Sequence, residues 1–209
     1  MENSAIILAG GFSKRFGLDK GLLMLADKPL ILYVVDNVST AIDGILVVVS
    51  SKSQEKVYAN ILKSKAKIVI DKNGTQSPLV GALTGFESVH SEYSLLLPCD
   101  TPFVSASIVS LLLELCVNKD AAIPRWVNGY LEPLQAAYHT KSALTAANMA
   151  LEDNKMKMHS MIACLKKVRY VSTLVLKQMD PTLMTFFNVN APEDLRKAEY
   201  MLLAARART

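Results

Sequence analysis

Histidine and cysteine are scarce in this chain, and the few present do not form a set. The three histidines, His90, His139 and His159, show no metal-ligand spacing, which argues against a zinc site. The three cysteines, Cys99, Cys116 and Cys164, are an odd number with no paired spacing. No disulfide framework is expected, and the chain reads as an intracellular protein. No apolar run approaches the roughly 18 residues that a membrane-spanning helix needs. The N-terminus carries Glu2 and an apolar stretch too short for a secretory leader, so a cytoplasmic location is expected. Long basic runs are also missing. None exceeds the two residues of Lys166-Lys167, and the seven tyrosines and six phenylalanines are not interleaved with basic clusters. Nucleic acid is therefore not an expected partner, despite a net charge of +4.

What is there suits an ordinary globular protein. Of 209 residues, 51% are apolar and 20% charged, which argues against disorder. That length gives one domain with a substantial core, and no linker, repeat or low-complexity segment divides it. A single domain over residues 1–209 is expected. The mild basic excess fits an anionic ligand.

One stretch stands out, from Ser4 to Lys20. An apolar run over residues 5–9 reads as a buried strand. It breaks at Gly10-Gly11, followed by Ser13, Lys14, Arg15, Gly17 and Lys20. Paired glycines let the backbone turn and approach a ligand closely, and inward-pointing N–H groups can cradle an anion. Arg15 and Lys20 add positive charge, with Arg suited to forked phosphate contacts. The plainer alternative is a strand-to-helix turn with a solvated basic flank. Two familiar phosphate loops do not fit. A P-loop needs Gly-Lys-Ser/Thr at its end, whereas Gly17 is followed by Leu18. The dinucleotide fingerprint needs Gly-x-Gly, whereas Phe12 and Ser13 stand two after Gly10 and Gly11.

Further along, residues 22–25, 45–49, 66–70, 94–97, 121–123, 134–138 and 168–171 read as strands. Helices are expected from Lys28-Pro29 onward, with Leu30, Val34, Val38 and Ala41 on one stripe, and over 53–62, with Val57, Ile61 and Leu62 inward. Others are expected from Pro78, with Leu79, Leu83 and Phe86 on one face, over 106–116 with Ser105 as N-cap, over 142–151 and 156–165, and after Asn190. Asn190-Ala191-Pro192-Glu193 reads as a capping box. Strands alternating with helices predict a three-layer α/β/α domain with a mostly parallel, Rossmann-like sheet. Ligands bind such sheets beyond the carboxyl ends of the strands. The glycine loop, Asp71 and Asp100 each follow a strand, so this topology would gather them at one rim. Asp100 there suits a magnesium ion shared with phosphates, or else begins a turn before Pro102. Cys99 has no histidine placed to activate it and reads as packing, not as a nucleophile.

The run Leu8-Ala9-Gly10-Gly11, continued by Ser13, Arg15, Phe16, Gly17, Asp19 and Lys20 and then Pro29-Leu30, resembles the nucleotidyltransferases that transfer a nucleoside monophosphate from a nucleoside triphosphate. Within them it is most similar to the molybdenum cofactor guanylyltransferases, which join GMP to molybdopterin. Cys99-Asp100-Thr101-Pro102 resembles the metal-binding segment of that family. Asn188-Val189-Asn190-Ala191-Pro192-Glu193-Asp194 resembles its C-terminal signature. Two departures stand out: Phe16 replaces the usual Met, and Ser77 replaces the first Gly of Gly-Pro-Leu-x-Gly in Ser77-Pro78-Leu79-Val80-Gly81.

The resemblance implies a nucleotidyltransferase-type fold, GTP and molybdopterin as substrates, and Mg2+ as cofactor. A protein that hands over molybdopterin is a further implied partner. Leu8, Ala9, Gly10, Gly11, Lys20, Asp71 and Asp100 would contact the nucleotide. Arg15, Lys20 and Asp100 would carry catalysis, with Asp100 as metal ligand. Glu132, Asn188 and Asn190 would lie on the pterin side, although Asn190 also reads as a helix cap and Glu132 as part of an edge strand. Paired glycines, where cytidylyl relatives often have Leu-Ala-Ala-Gly, resemble the guanine-selective form. A Cβ at Gly10 would then stand where the purine sits. Rival expectations are cytidylyl transfer to molybdopterin, transfer to a sugar 1-phosphate, and a non-catalytic nucleotide-binding relative.

Overall fold

The computed structural model describes residues 3–10, 12–13, 18–71 and 77–206. Seven strands form the main sheet: β1 (Asn3–Leu8), β2 (Gly44–Val49), β3 (Lys67–Ile70), β4 (Tyr93–Pro98), β5 (Ala121–Arg125), β6 (Ala136–His139) and β7 (Val168–Ser172). Their order is β7-β5-β6-β4-β1-β2-β3. β1 lies parallel between β4 and β2, with Ile7 opposite both Leu97 and Val47. β3 runs parallel to β2, and β7 to β5. Of these strands, β6 is the one antiparallel to both its neighbours. It follows β5 through a loop that turns at Val127-Asn128-Gly129, with no crossover helix, and such a return reverses direction.

Alternating residues of the central strand feed two cores, one on each sheet face. Ala5 and Ile7 face the helices α1 (Leu30–Val38), α2 (Lys52–Leu62) and α4 (Ala106–Cys116). Ile6 faces α3 (Pro78–Ser88), α5 (Thr140–Glu152) and α6 (Met158–Cys164). The short helix α7 (Thr173–Leu176) joins the first face through Leu176. The last helix, α8 (Pro192–Arg206), packs elsewhere. Its Ala198, together with Val189, meets Leu23, Leu25 and Leu30 in a third cluster. This arrangement is the expected layered α/β architecture. Among the described residues no helix is long and apolar enough to cross a membrane.

Four local expectations need correction. Lys28-Pro29 is a two-residue strand paired with Met24-Leu25, and α1 begins only at Leu30. The expected strand over 22–25 is shortened because a 3-10 turn, Lys20–Leu22, takes its start. In α2 the inward position belongs to Tyr58, which is fully buried, while Val57 is exposed. Tyr58 and Leu62 make an i, i+4 pair that fixes the inward stripe. Asn190 does not cap α8. The carboxylate of Asp194 accepts from the N–H groups of Asn190 and Ala191, which leaves the Asn190 side chain for other work. Ser105 does stand at the N-cap of α4, but its hydroxyl bonds to that of Ser107 and makes no cap hydrogen bond. Ser77, by contrast, caps α3 by accepting from Val80 N–H.

Candidate functional site

The carboxyl ends of β1, β2, β3 and β4 open into a cavity of about 410 Å³ whose lining includes Leu8, Gly10, Lys20, Ser50, Asp71 and Asp100. Backbone bonds bind the strand ends into one rim. Ala9 N–H donates to Val48 O, Asp71 N–H to Val49 O and Cys99 N–H to Leu8 O. Gly10, Asp71 and Asp100, expected at one rim, therefore do meet there.

Among the described residues, Asp100 is the charged group set deepest, at 8% exposure. A carboxylate at that depth needs a cation or several donors. Lys20 supplies the cation: its Nζ donates to Asp100 Oδ2 at 2.8 Å and to Asn190 Oδ1 at 2.6 Å. The backbone reinforces the junction, since Val189 N–H donates to Asp100 O at 2.9 Å. Three remote segments thus meet at one ammonium group.

Asp71 lines the cavity and accepts from the Thr84 hydroxyl at 2.9 Å. Leu8 lines it as well, while Ala9 is buried beneath. Gly10 O accepts from the Ser50 hydroxyl at 2.7 Å. A Cβ on Gly10 would lie 2.3 Å from Ser50 Oγ. The nearest protein atom to such a side chain is thus the Ser50 hydroxyl. Gly11 and Arg15 lie outside the described residues.

The expected pterin-side residues are spread out. Asn190 reaches the site through Lys20, and Asn188, half-buried, precedes it on the same segment. Glu132 accepts from Trp126 Nε1 at 2.6 Å and is not among the described residues that line the cavity, although Leu134 is. Burial pushes the Glu132 carboxyl above its ordinary range, against the opposing pull of the Trp126 N–H. Cys99 is buried, and desolvation, then the charges of Asp100 and Asp19, push its thiol well above the ordinary value. A thiol so held is inert.

Ser50 escaped sequence reasoning. Its signal was weak: a polar residue directly after a buried strand, at the carboxyl end where ligands bind.

Among the described residues, no group of three or more His, Cys, Asp or Glu side chains could hold a metal ion. One carboxylate at the cavity wall still fits magnesium, a hard cation that takes most of its ligands from phosphates and water.

Residues 5–168 match the model of the MobA-like NTP transferase domain. A protein of Methanosarcina mazei described as a probable molybdenum cofactor guanylyltransferase is 33% identical over 92% of this chain and 88% of its own length. The molybdenum cofactor guanylyltransferase of Desulfosudis oleivorans is 31% identical over 97% of both chains. The crystal structure of molybdopterin-guanine dinucleotide biosynthesis protein A from Archaeoglobus fulgidus superposes with a TM-score of 0.82 at 26% identity, covering 96% of this chain and 99% of that one.

Proposed function

The chain belongs to the MobA-like NTP transferase family, and we propose that it transfers GMP from GTP to the terminal phosphate of molybdopterin, releasing pyrophosphate. The observation that carries this reading is the Lys20–Asp100 pair set into the rim cavity beside Gly10. A cation and a carboxylate at one point suit a polyphosphate and its counter-ion. The names of the similar proteins supply the base and the acceptor.

The acceptor needs little activation. A phosphate monoester has a second pKa near about 6, so at neutral pH it is already a dianionic nucleophile. Attack on the α-phosphorus requires position and charge stabilisation, not a general base. Lys20 holds the triphosphate and offsets charge on the departing pyrophosphate. Arg15 and the N–H groups of the glycine pair act with it. Asp71 contacts the nucleotide. Asp100 would hold Mg2+, which would supply neutralisation of phosphate charge. Asn188, Asn190 and Glu132 face the pterin. A protein that delivers molybdopterin completes the system.

Pyrophosphate release is the test. It should require GTP, molybdopterin and magnesium together. Release that is indifferent to molybdopterin would overturn the acceptor, and release with CTP but not GTP would overturn the base.

A further inference from the structure

Asp19 directly precedes Lys20, and three donors hold its carboxylate. Gly21 N–H, at 3.0 Å, and the Tyr58 hydroxyl, at 2.7 Å, both reach Oδ1. Gln54 Nε2 reaches Oδ2 at 2.5 Å. The orientation of the Gln54 amide is fixed by its other end. Its Oε1 accepts from Ser50 N–H at 2.7 Å, and a backbone N–H can only donate. The amide nitrogen is therefore the atom left for the carboxylate. The Ser50 hydroxyl in turn donates to Gly10 O at 2.7 Å. Gly10 and Asp19 are thus each tied to α2 or to the turn that leads into it.

Tyr58 is built for this contact. It is fully buried, and desolvation, then the charges of Cys99 and Asp19, push its phenol far above the ordinary value. It therefore remains a donor throughout the accessible pH range. Its oxygen also fills the space over Gly21, where a Cβ would lie 2.2 Å away. Glycine after Lys20 is the price of that close approach.

Neither Asp19, Gln54 nor Tyr58 is among the described residues that line the cavity. They act on it through Lys20. A lysine has a long, flexible stem, so its aim is set first by its backbone. We propose that Asp19, Gln54 and Tyr58 are positioning residues, which fix the backbone at residues 19–21 so that the Lys20 ammonium points into the cavity and grips the triphosphate. This inference rests on the nucleotide reading of the site. A cluster that only secured α2 would contribute to stability and to nothing else.

The two readings separate in a polarity swap. In Asp19→Asn alone, an amide nitrogen faces the amide nitrogen of Gln54. In Gln54→Glu alone, a carboxylate faces a carboxylate. In the double variant, the new amide nitrogen at position 19 donates to the new carboxylate at position 54. That carboxylate still accepts from Ser50 N–H, and Tyr58 and Gly21 still find an oxygen. Binding of GTP and of GMP is measured by calorimetry for the parent and all three variants, with a melting curve for each.

Each single change should weaken GTP about 10- to 100-fold, the scale of a lost charge-assisted hydrogen bond. GMP, lacking the outer phosphates, should change by no more than about threefold, and the double variant should regain GTP affinity to within about threefold of the parent. If a single variant does not fold, Tyr58→Phe, which removes one donor and keeps the ring, supplies the comparison and should again weaken GTP more than GMP. Equal losses for GTP and GMP, or a double variant no better than the weaker single one, would overturn the positioning role. A parent that binds no GTP would instead overturn the nucleotide reading, and this inference with it.

Discussion

Lys20 and Asp100, 80 positions apart, meet at 2.8 Å. Their side chains are 24% and 11% exposed, so the pair is neither a surface ornament nor sealed in the core. A partly wet ion pair contributes little net stability, because desolvation offsets most of its attraction. Its value lies in having both charges at the cavity wall, where a charged substrate can exchange with them.

Asp100→Asn keeps the size of the side chain and removes its charge. Pyrophosphate release should fall to background while the circular dichroism spectrum remains that of the parent. Lys20→Ala should also remove most of the rate. If both residues serve one step, the double variant should be scarcely slower than the worse single one. Parental kinetics in either single variant would return that residue to a purely structural role.

Gly10→Ala should act through Ser50. The new methyl displaces the hydroxyl from its bond with Gly10 O. kcat/KM for GTP should fall, and adding Ser50→Ala should recover part of the loss by making room. The cycle is read from four proteins, since contacting residues depart from additivity by about 0.5–3 kcal/mol. Strict additivity would mean that the methyl meets something other than Ser50.

The sequence pattern shows the frame of this site better than its fastenings. Helix α4 falls where periodicity places it, at Ala106–Cys116, because its inward stripe of Ile108, Val109, Leu112 and Cys116 is uninterrupted. The gathering of Gly10, Asp71 and Asp100 follows from topology alone. What periodicity misjudges is the side chain with a polar tip. Val57 looks like core and is exposed, whereas Tyr58 is buried because Asp19 receives its hydroxyl. That bond spans 39 positions, and the Lys20–Asn190 bond spans 170. No local spacing encodes such pairs. The cap of α8 misleads for a related reason: Asp194 serves the backbone there, so Asn190 is released to Lys20.

Asp120 ties the start of β5 to the approach to β7. Its carboxylate accepts from Lys167 N–H and Lys166 N–H, at 2.8 and 2.9 Å, and from the Ser142 hydroxyl at 2.8 Å. Burial alone pushes the Asp120 carboxyl up, but the bonds from Lys167, Ser142 and Lys166 outweigh it and hold it below its ordinary value. A carboxyl lowered on folding stabilises the protein above the unfolded value of about 3.9, and this contribution disappears as pH falls through the folded value. The urea midpoint should therefore drop between about pH 5 and pH 3 by less in Asp120→Asn than in the parent. Identical drops would show that Asp120 is not linked to folding.

In the proposed reaction one bond forms at the α-phosphorus of GTP while pyrophosphate departs. GTP labelled at the α-phosphorus with one isotope and at the γ-phosphorus with another, incubated with molybdopterin and magnesium, tests it directly. The α label should appear in a molybdopterin-guanine dinucleotide and the γ label in pyrophosphate, in equal amounts. Both labels on the pterin product, or γ label released as inorganic phosphate while the α label stays in GDP, would contradict it.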